Sequence, residues 1–145
     1  YNIPDTIEKQ YLVRESKARV HQAQFREAVI NVYRERCAIS GLPVKTLLEA
    51  AHIIPDAEER GETTVNNGLS LSRIHHKAYD ANLIGITPDY EVKVGDRLKE
   101  ISDGPMLEVA LQDIHGKRLI LPQEQKYCPK RELLEVRFNE FLSEN

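Results

Sequence analysis

Between Phe25 and Tyr33 the apolar positions Phe25, Ala28, Val29, Val32 and Tyr33 recur at three- and four-residue spacing, the signature of one buried helix face. The composition favours helix from Asp5 to Arg36, with the second half the better defined. Ser40-Gly41-Leu42-Pro43 interrupts it, and Leu47 to Ile54 is an apolar run ending at Pro55, which reads as a strand with room for a helical turn before it. Asp56 to Asn67 is polar, contains Gly61 and closes on Asn66-Asn67-Gly68, so it reads as a loop. Leu69 and Leu71 alternate with Ser70 and Ser72 as a short strand does. His75 to Leu83 suits a helix of two or three turns, closed by Asn82 or Gly85.

Further on, Tyr90, Val92 and Val94 alternate with charged residues, and Leu119 to Leu121 precedes Pro122; these read as two strands that pair with each other. Leu134, Phe138, Phe141 and Leu142 have helical spacing within Arg131 to Leu142, and Pro129 is placed to start that helix. The sequence contains no internal repeat and no low-complexity segment.

The length of 145 residues and the 41% apolar content support one core rather than two, which makes a single domain the expected organisation. A net charge of −3 argues against polyanion binding by bulk electrostatics, so any such site must be local. The first fifty residues carry eight basic groups against six acidic ones, an excess that a solvated helix face explains equally well. Cys37 and Cys128 lie far apart, which fits a reducing compartment better than a disulfide-stapled secreted domain. No stretch approaches the roughly 18 consecutive apolar residues of a membrane span, and no signal-peptide h-region precedes the helix. The chain begins at Tyr1 without a methionine, which suggests a piece of a longer protein.

Chemistry concentrates in the middle of the chain. His52 interrupts the apolar run Ala50-Ala51-His52-Ile53-Ile54-Pro55, where a titratable ring needs either a hydrogen-bond partner or a function. Downstream lie Asn67-Gly68-Leu69-Ser70-Leu71 and then His75-His76, with Asp80 four residues after His76 and so on the same helix face. An imidazole and a carboxylate one turn apart can be half of a divalent-metal site or an ordinary surface pair. His21 and His115 show no such context.

Together these blocks resemble the HNH endonucleases, nucleases built on a ββα-metal finger. The resemblance rests on Ala51-His52-Ile53-Ile54-Pro55, on Asn67 nine positions before His76, and on His75-His76-Lys77-Ala78-Tyr79-Asp80. Phe25-Arg26-Glu27 and Arg36-Cys37-Ala38-Ile39-Ser40-Gly41 look like the lead-in of the restriction-enzyme branch. It implies an α+β fold comprising a ββα finger, flanking N- and C-terminal helices and a small additional β-element. The single nuclease domain would fill residues 1–145, with the finger core at about 46–84, a helical lead-in at about 5–36 and a C-terminal β/α extension at about 88–143.

The resemblance also implies roles. His52 corresponds to the general base that deprotonates water, a task suited to the imidazole side chain, whose free pKa in peptides is about 6.5. Asn67 corresponds to the residue that steadies that ring and fixes its tautomer. His76 corresponds to the metal ligand and Asp80 to a second one, together holding one divalent ion, with Mg²⁺ expected and Mn²⁺, Co²⁺ or Ni²⁺ as alternatives. Arg73 and Lys77 flank the metal histidine as candidate phosphate contacts, with His75 a weaker one and Arg26, Arg34 and Arg36 on an adjoining helix. The acidic residues Asp56, Glu58, Glu59 and Glu62 would repel DNA and are expected to face away from it.

The sequence departs from the family at two places. Many relatives carry an acid or histidine just before the base; here that residue is Ala51. Many also carry two Cys-x-x-Cys pairs, and the matching positions read Cys37, Ser40, Ser72 and His75, so structural zinc is not expected and Cys37 is expected to be buried. The function implied is metal-dependent hydrolysis of double-stranded DNA by a cytoplasmic prokaryotic restriction enzyme, with an N-terminal recognition domain elsewhere and room for a homodimer. The alternatives are a DNA-binding HNH module without activity and a toxin-type nonspecific nuclease.

Overall fold

The computed structural model describes residues 3–55 and 64–145, with side chains described from residue 7. The expected orientation of Asp56, Glu58, Glu59 and Glu62 therefore lies outside the described residues. Helix α1, Ile3–Val32, opens the chain. Residues 7–24 of it are exposed, Ile7, Tyr11, Leu12, Val13 and Val20 among them, and burial begins at Phe25, Val29 and Ile30, the amphipathic segment. Arg34 and Glu35 then adopt left-handed φ of 57° and 56°, and the Glu35 amide returns to the Ile30 carbonyl, which ends the helix before Arg36.

A helical turn at Lys45–Leu47 leads into strand β1, Leu48–His52, which pairs antiparallel with β2, Gly68–Ser72. The register sets His52 opposite Gly68 and Glu49 opposite Leu71. Gly68 is required by space rather than by dihedral: a Cβ there would lie 2.5 Å from Val29 Cγ2 and 2.9 Å from Phe25 Cζ, so α1 crosses the hairpin closely only because the residue is glycine. Helix α2, Arg73–Asp80, follows β2 directly, its N-terminus capped by the Ser72 side chain accepting from the His75 amide. The sequence β1, β2, α2 is the expected ββα finger.

Asn82, at a φ of 56°, closes the region of α2 and redirects the chain into β3, Ile84–Ile86, which pairs antiparallel with β4, Val92–Val94. This corrects the expected partner of the Tyr90–Val94 segment. Residues 119–121 form no strand; they meet that segment through a bridge between Glu91 and Arg118 and the Leu119 amide to the Tyr90 carbonyl. A short helix α3, Asp96–Lys99, and a widened helical segment, Met106–Gln112, complete the extension before α4, Arg131–Glu144. A Cβ on Gly85 would lie 2.6 Å from Phe141 Cγ, so the ring of Phe141 docks directly on the β3 backbone. One continuous core, from Phe25 and Ile30 through Ile53, Leu71 and Tyr79 to Ile84 and Leu134, joins α1, the finger and α4.

Candidate active site

The end of β1 presents His52 half-buried, with its ring stacked on Phe25 at a centroid separation of 4.2 Å and an interplanar angle of 10°. The helix that packs over Gly68 thus also fixes one face of the imidazole. Asn67 is fully buried, and its amide is engaged with the chain just beyond His52: Nδ2 donates to the Ile54 carbonyl and the Ile54 amide donates to Oδ1, both at 2.9 Å. The Ile53 amide donates to the Asn67 carbonyl at 2.9 Å. These bonds lock the backbone that carries the ring.

On α2, His76 stands between two carboxylates. Its Nδ1 donates to Glu49 Oε1 at 2.7 Å, and its Nε2 lies 3.1 Å from Asp80 Oδ2. The hydrogen bond to Asp80 raises the affinity of His76 for a proton, burial opposes this, and the bond to Glu49 adds to the rise. The same bond from His76 is the main reason that Asp80 holds its proton less tightly than an ordinary aspartate. Glu49 is a member of the site that the sequence reading missed. The signal was available: Glu49 interrupts the apolar run as His52 does, and a half-buried charge in a strand calls for a partner.

This donor set fits a divalent ion. A carboxylate that accepts from Nδ1–H fixes the tautomer whose Nε2 lone pair points outward, and Asp80 brings an oxygen to that same nitrogen. His76 and Asp80 would be the direct ligands and Glu49 the outer partner; among the described residues no third His, Cys, Asp or Glu completes the set, leaving water and phosphate oxygens to do so. Ala51, where relatives carry a further ligand, is fully buried in the core.

His52, His76 and Asp80 line one open cleft of about 400 Å³, with Gln22, Pro55, Asn82, Arg137 and Glu140 forming the rest of its wall. The candidate base and the candidate metal ligands therefore meet in one place, although they come from a strand end and a helix face. Arg73 and Lys77 project from the exposed side of α2; Arg73 is 83% exposed and its Nε lies 3.3 Å from Glu49 Oε2. Arg26, Arg34 and Arg36 instead fasten the fold, donating to the carbonyls of Leu48, Leu121 and Gly41.

His75 faces the other way and is buried. Its Nε2 donates to the Ala110 carbonyl at 2.7 Å, which leaves Nδ1 to accept from the Ser72 hydroxyl at 2.7 Å. A ring held inside on both nitrogens has no means of touching phosphate, which corrects the expectation for this residue. The four positions that match the zinc ligands of relatives do converge: Cys37 Sγ lies 4.0 Å from His75 Nδ1 and accepts from the Ser40 amide. Burial disfavours ionisation of Cys37, but its hydrogen bonding with His75 and Ser40 outweighs this and brings the thiol down to about 6.

A family model described as HNH endonuclease matches residues 37–87, from the Cys37 turn to the end of β3. The chain carries an HNH endonuclease domain. The matched segment contains the ββα unit of β1, β2 and α2. Among solved structures the chain is similar to a modification-dependent TagI restriction endonuclease, at 18% identity and a TM-score of 0.55 over 81% of this chain. The chain spans 37% of the length of that enzyme. No curated protein matches the sequence significantly. Among the described residues no helix is long and apolar enough to cross a membrane.

Proposed function

We propose that this chain is the cleavage domain of a restriction-type endonuclease that hydrolyses duplex DNA with one divalent ion and His52 as general base. The observation that carries the reading is the convergence of His52, His76 and Asp80 on a single cleft. Asp80 and Glu140 give that cleft negative charge, and a phosphodiester approaches it favourably once a cation is held between His76 and Asp80. Bound there, a divalent ion supplies Lewis-acid stabilisation of the charge that develops on the scissile phosphate and its leaving 3′-oxygen.

The chain's own groups do the rest. His52 accepts the proton of a water molecule whose oxygen attacks phosphorus, the P–O3′ bond breaks, the leaving 3′-oxygen takes up a proton from solvent, and the products are a 5′-phosphate and a 3′-hydroxyl. Phe25 holds the plane of the ring, and Asn67 holds the backbone beneath it through Ile53 and Ile54. Glu49 keeps His76 in the tautomer that faces Asp80. Arg73 and Lys77 lie on the outward face of α2, where the flanking backbone phosphates would run. A second copy of the chain would cut the second strand, and a recognition domain elsewhere in the protein would choose the site, in the cytoplasm of a prokaryote.

Supercoiled plasmid incubated with the protein in Mg²⁺, Mn²⁺, Co²⁺ or Ni²⁺ tests this reading. The expected result is nicking or linearisation that EDTA abolishes, with ends that ligase reseals. DNA binding with no cleavage in any of the four metals would instead establish an inactive binding module.

A further inference from the structure

Arg137 is 6% exposed, a cation buried in the helix that follows the finger and outside the segment that the family model matches. Its guanidinium is used as a fork: Nη1 donates to the Ile53 carbonyl at 2.9 Å and Nη2 to the Tyr79 carbonyl at 2.7 Å. Ile53 follows the base His52, and Tyr79 precedes the ligand Asp80. The carboxylates near it are more distant, Glu140 at 3.7 Å and Asp80 at 3.8 Å, and the Tyr79 ring lies beneath the guanidinium at 4.2 Å. Phe141, one turn further along α4, rests on the Gly85 backbone and sets where Arg137 stands.

A buried charge whose short bonds run to two backbone carbonyls, one on each catalytic element, has a use beyond packing. We propose that Arg137 is a positioning residue of the nuclease site: its fork ties the end of β1 to the end of α2 and so sets the separation between His52 and the His76–Asp80 pair. The role rests on the nuclease reading above. Only a planar guanidinium spans both carbonyls at once; a lysine ammonium is a point donor that reaches one. Single-residue misplacements of this kind reach about 100-fold in rate.

The test compares wild type with Arg137→Lys and Arg137→Gln by plasmid cleavage in Mn²⁺ and by NMR of the histidine rings in metal-free protein. Both variants are expected to lose roughly 10- to 100-fold in kcat while KM for plasmid stays within about twofold. The ring signals of His52 and His76 are expected to shift while those of His21 and His115 do not. Wild-type cleavage that Arg137→Lys matches, with unchanged ring signals, overturns the positioning role and leaves the nuclease reading intact. Wild type inactive in every metal overturns the reading itself and the role with it. If neither variant unfolds cooperatively, Arg137 is a general core element and the specific role is likewise overturned.

Discussion

His75 and His76 are neighbours on one helix and end in opposite circumstances. His75 points into the protein, where Ser72, Ala110 and Cys37 surround it. His76 points into the cleft, where Glu49 and Asp80 take its two nitrogens. Burial works against a proton on both rings, and in both the hydrogen bonds outweigh it. The difference lies in the partners. A hydroxyl and a carbonyl make a satisfied core group, and two carboxylates at an open surface make the donor set on which the proposed cation site rests. In an α-helix adjacent residues point about 100° apart, so one ring faces each environment and the pair cannot share an ion.

The contrast is most severely tested by removing each ring in turn. His76→Ala is expected to cut metal-dependent cleavage by more than about 100-fold, beyond the loss expected even for the outer partner of a metal ligand. Thermal unfolding should change little, since the ring is part-exposed; a large fall in Tm with cleavage intact would reverse the assignment. Glu49→Gln keeps a hydrogen-bond acceptor but removes the charge. The metal concentration giving half-maximal cleavage should rise roughly 10- to 100-fold, with the rate at saturating metal much less affected.

His75→Ala should do the opposite of His76→Ala. Loss of a buried ring and two hydrogen bonds is expected to cost about 2–3 kcal/mol, a fall in Tm of roughly 5–10 °C at this chain length. Cleavage per folded molecule should stay within about twofold. A His75→Ala protein of normal Tm that no longer cuts would place His75 in the site and contradict its burial.

The smallest effect expected is in pH. The folded His76 holds its proton more tightly than a free histidine, so in metal-free protein the stability this gives is complete below about pH 6.5 and is lost as pH rises through the higher folded value. The ion competes with that proton, so the metal concentration needed for cleavage should fall as pH increases through this range. A metal requirement independent of pH between about 6 and 8 would show that Nε2 of His76 is not a ligand.

Much of this was legible in the sequence because local pattern and tertiary environment agree. The helical face from Phe25 to Tyr33 and the Asn67-Gly68 turn follow from spacing alone; the strand expected from Leu47 to Ile54 is present but stops at His52, and of the α4 stripe Leu134 and Phe141 are buried while Leu142 is exposed. What was not legible depends on contacts between distant segments. Strand β3 is three residues with a central glycine, a pattern that reads as a breaker until Phe141 is seen lying on it. Residues 119–121 look like a strand, but their backbone bonds to Ala38 and Tyr90 rather than continuing a sheet. Glu49 and Arg137 carried a signal that went unread, a charge set in an apolar pattern: Glu49 between Leu48 and Ala50, Arg137 on the stripe shared with Leu134 and Phe141. Like His52, both are polar groups among apolar neighbours and need a partner there.

The central claim is that the cleft joining His52 to His76 and Asp80 is where DNA is cut. Its most direct test is the single-turnover rate of plasmid cleavage by wild type and His52→Ala at equal folded concentration in saturating Mn²⁺. Loss of the base should slow cleavage by about 10²- to 10⁴-fold while metal-dependent DNA binding persists. A His52→Ala protein that cuts at the wild-type rate would contradict the account.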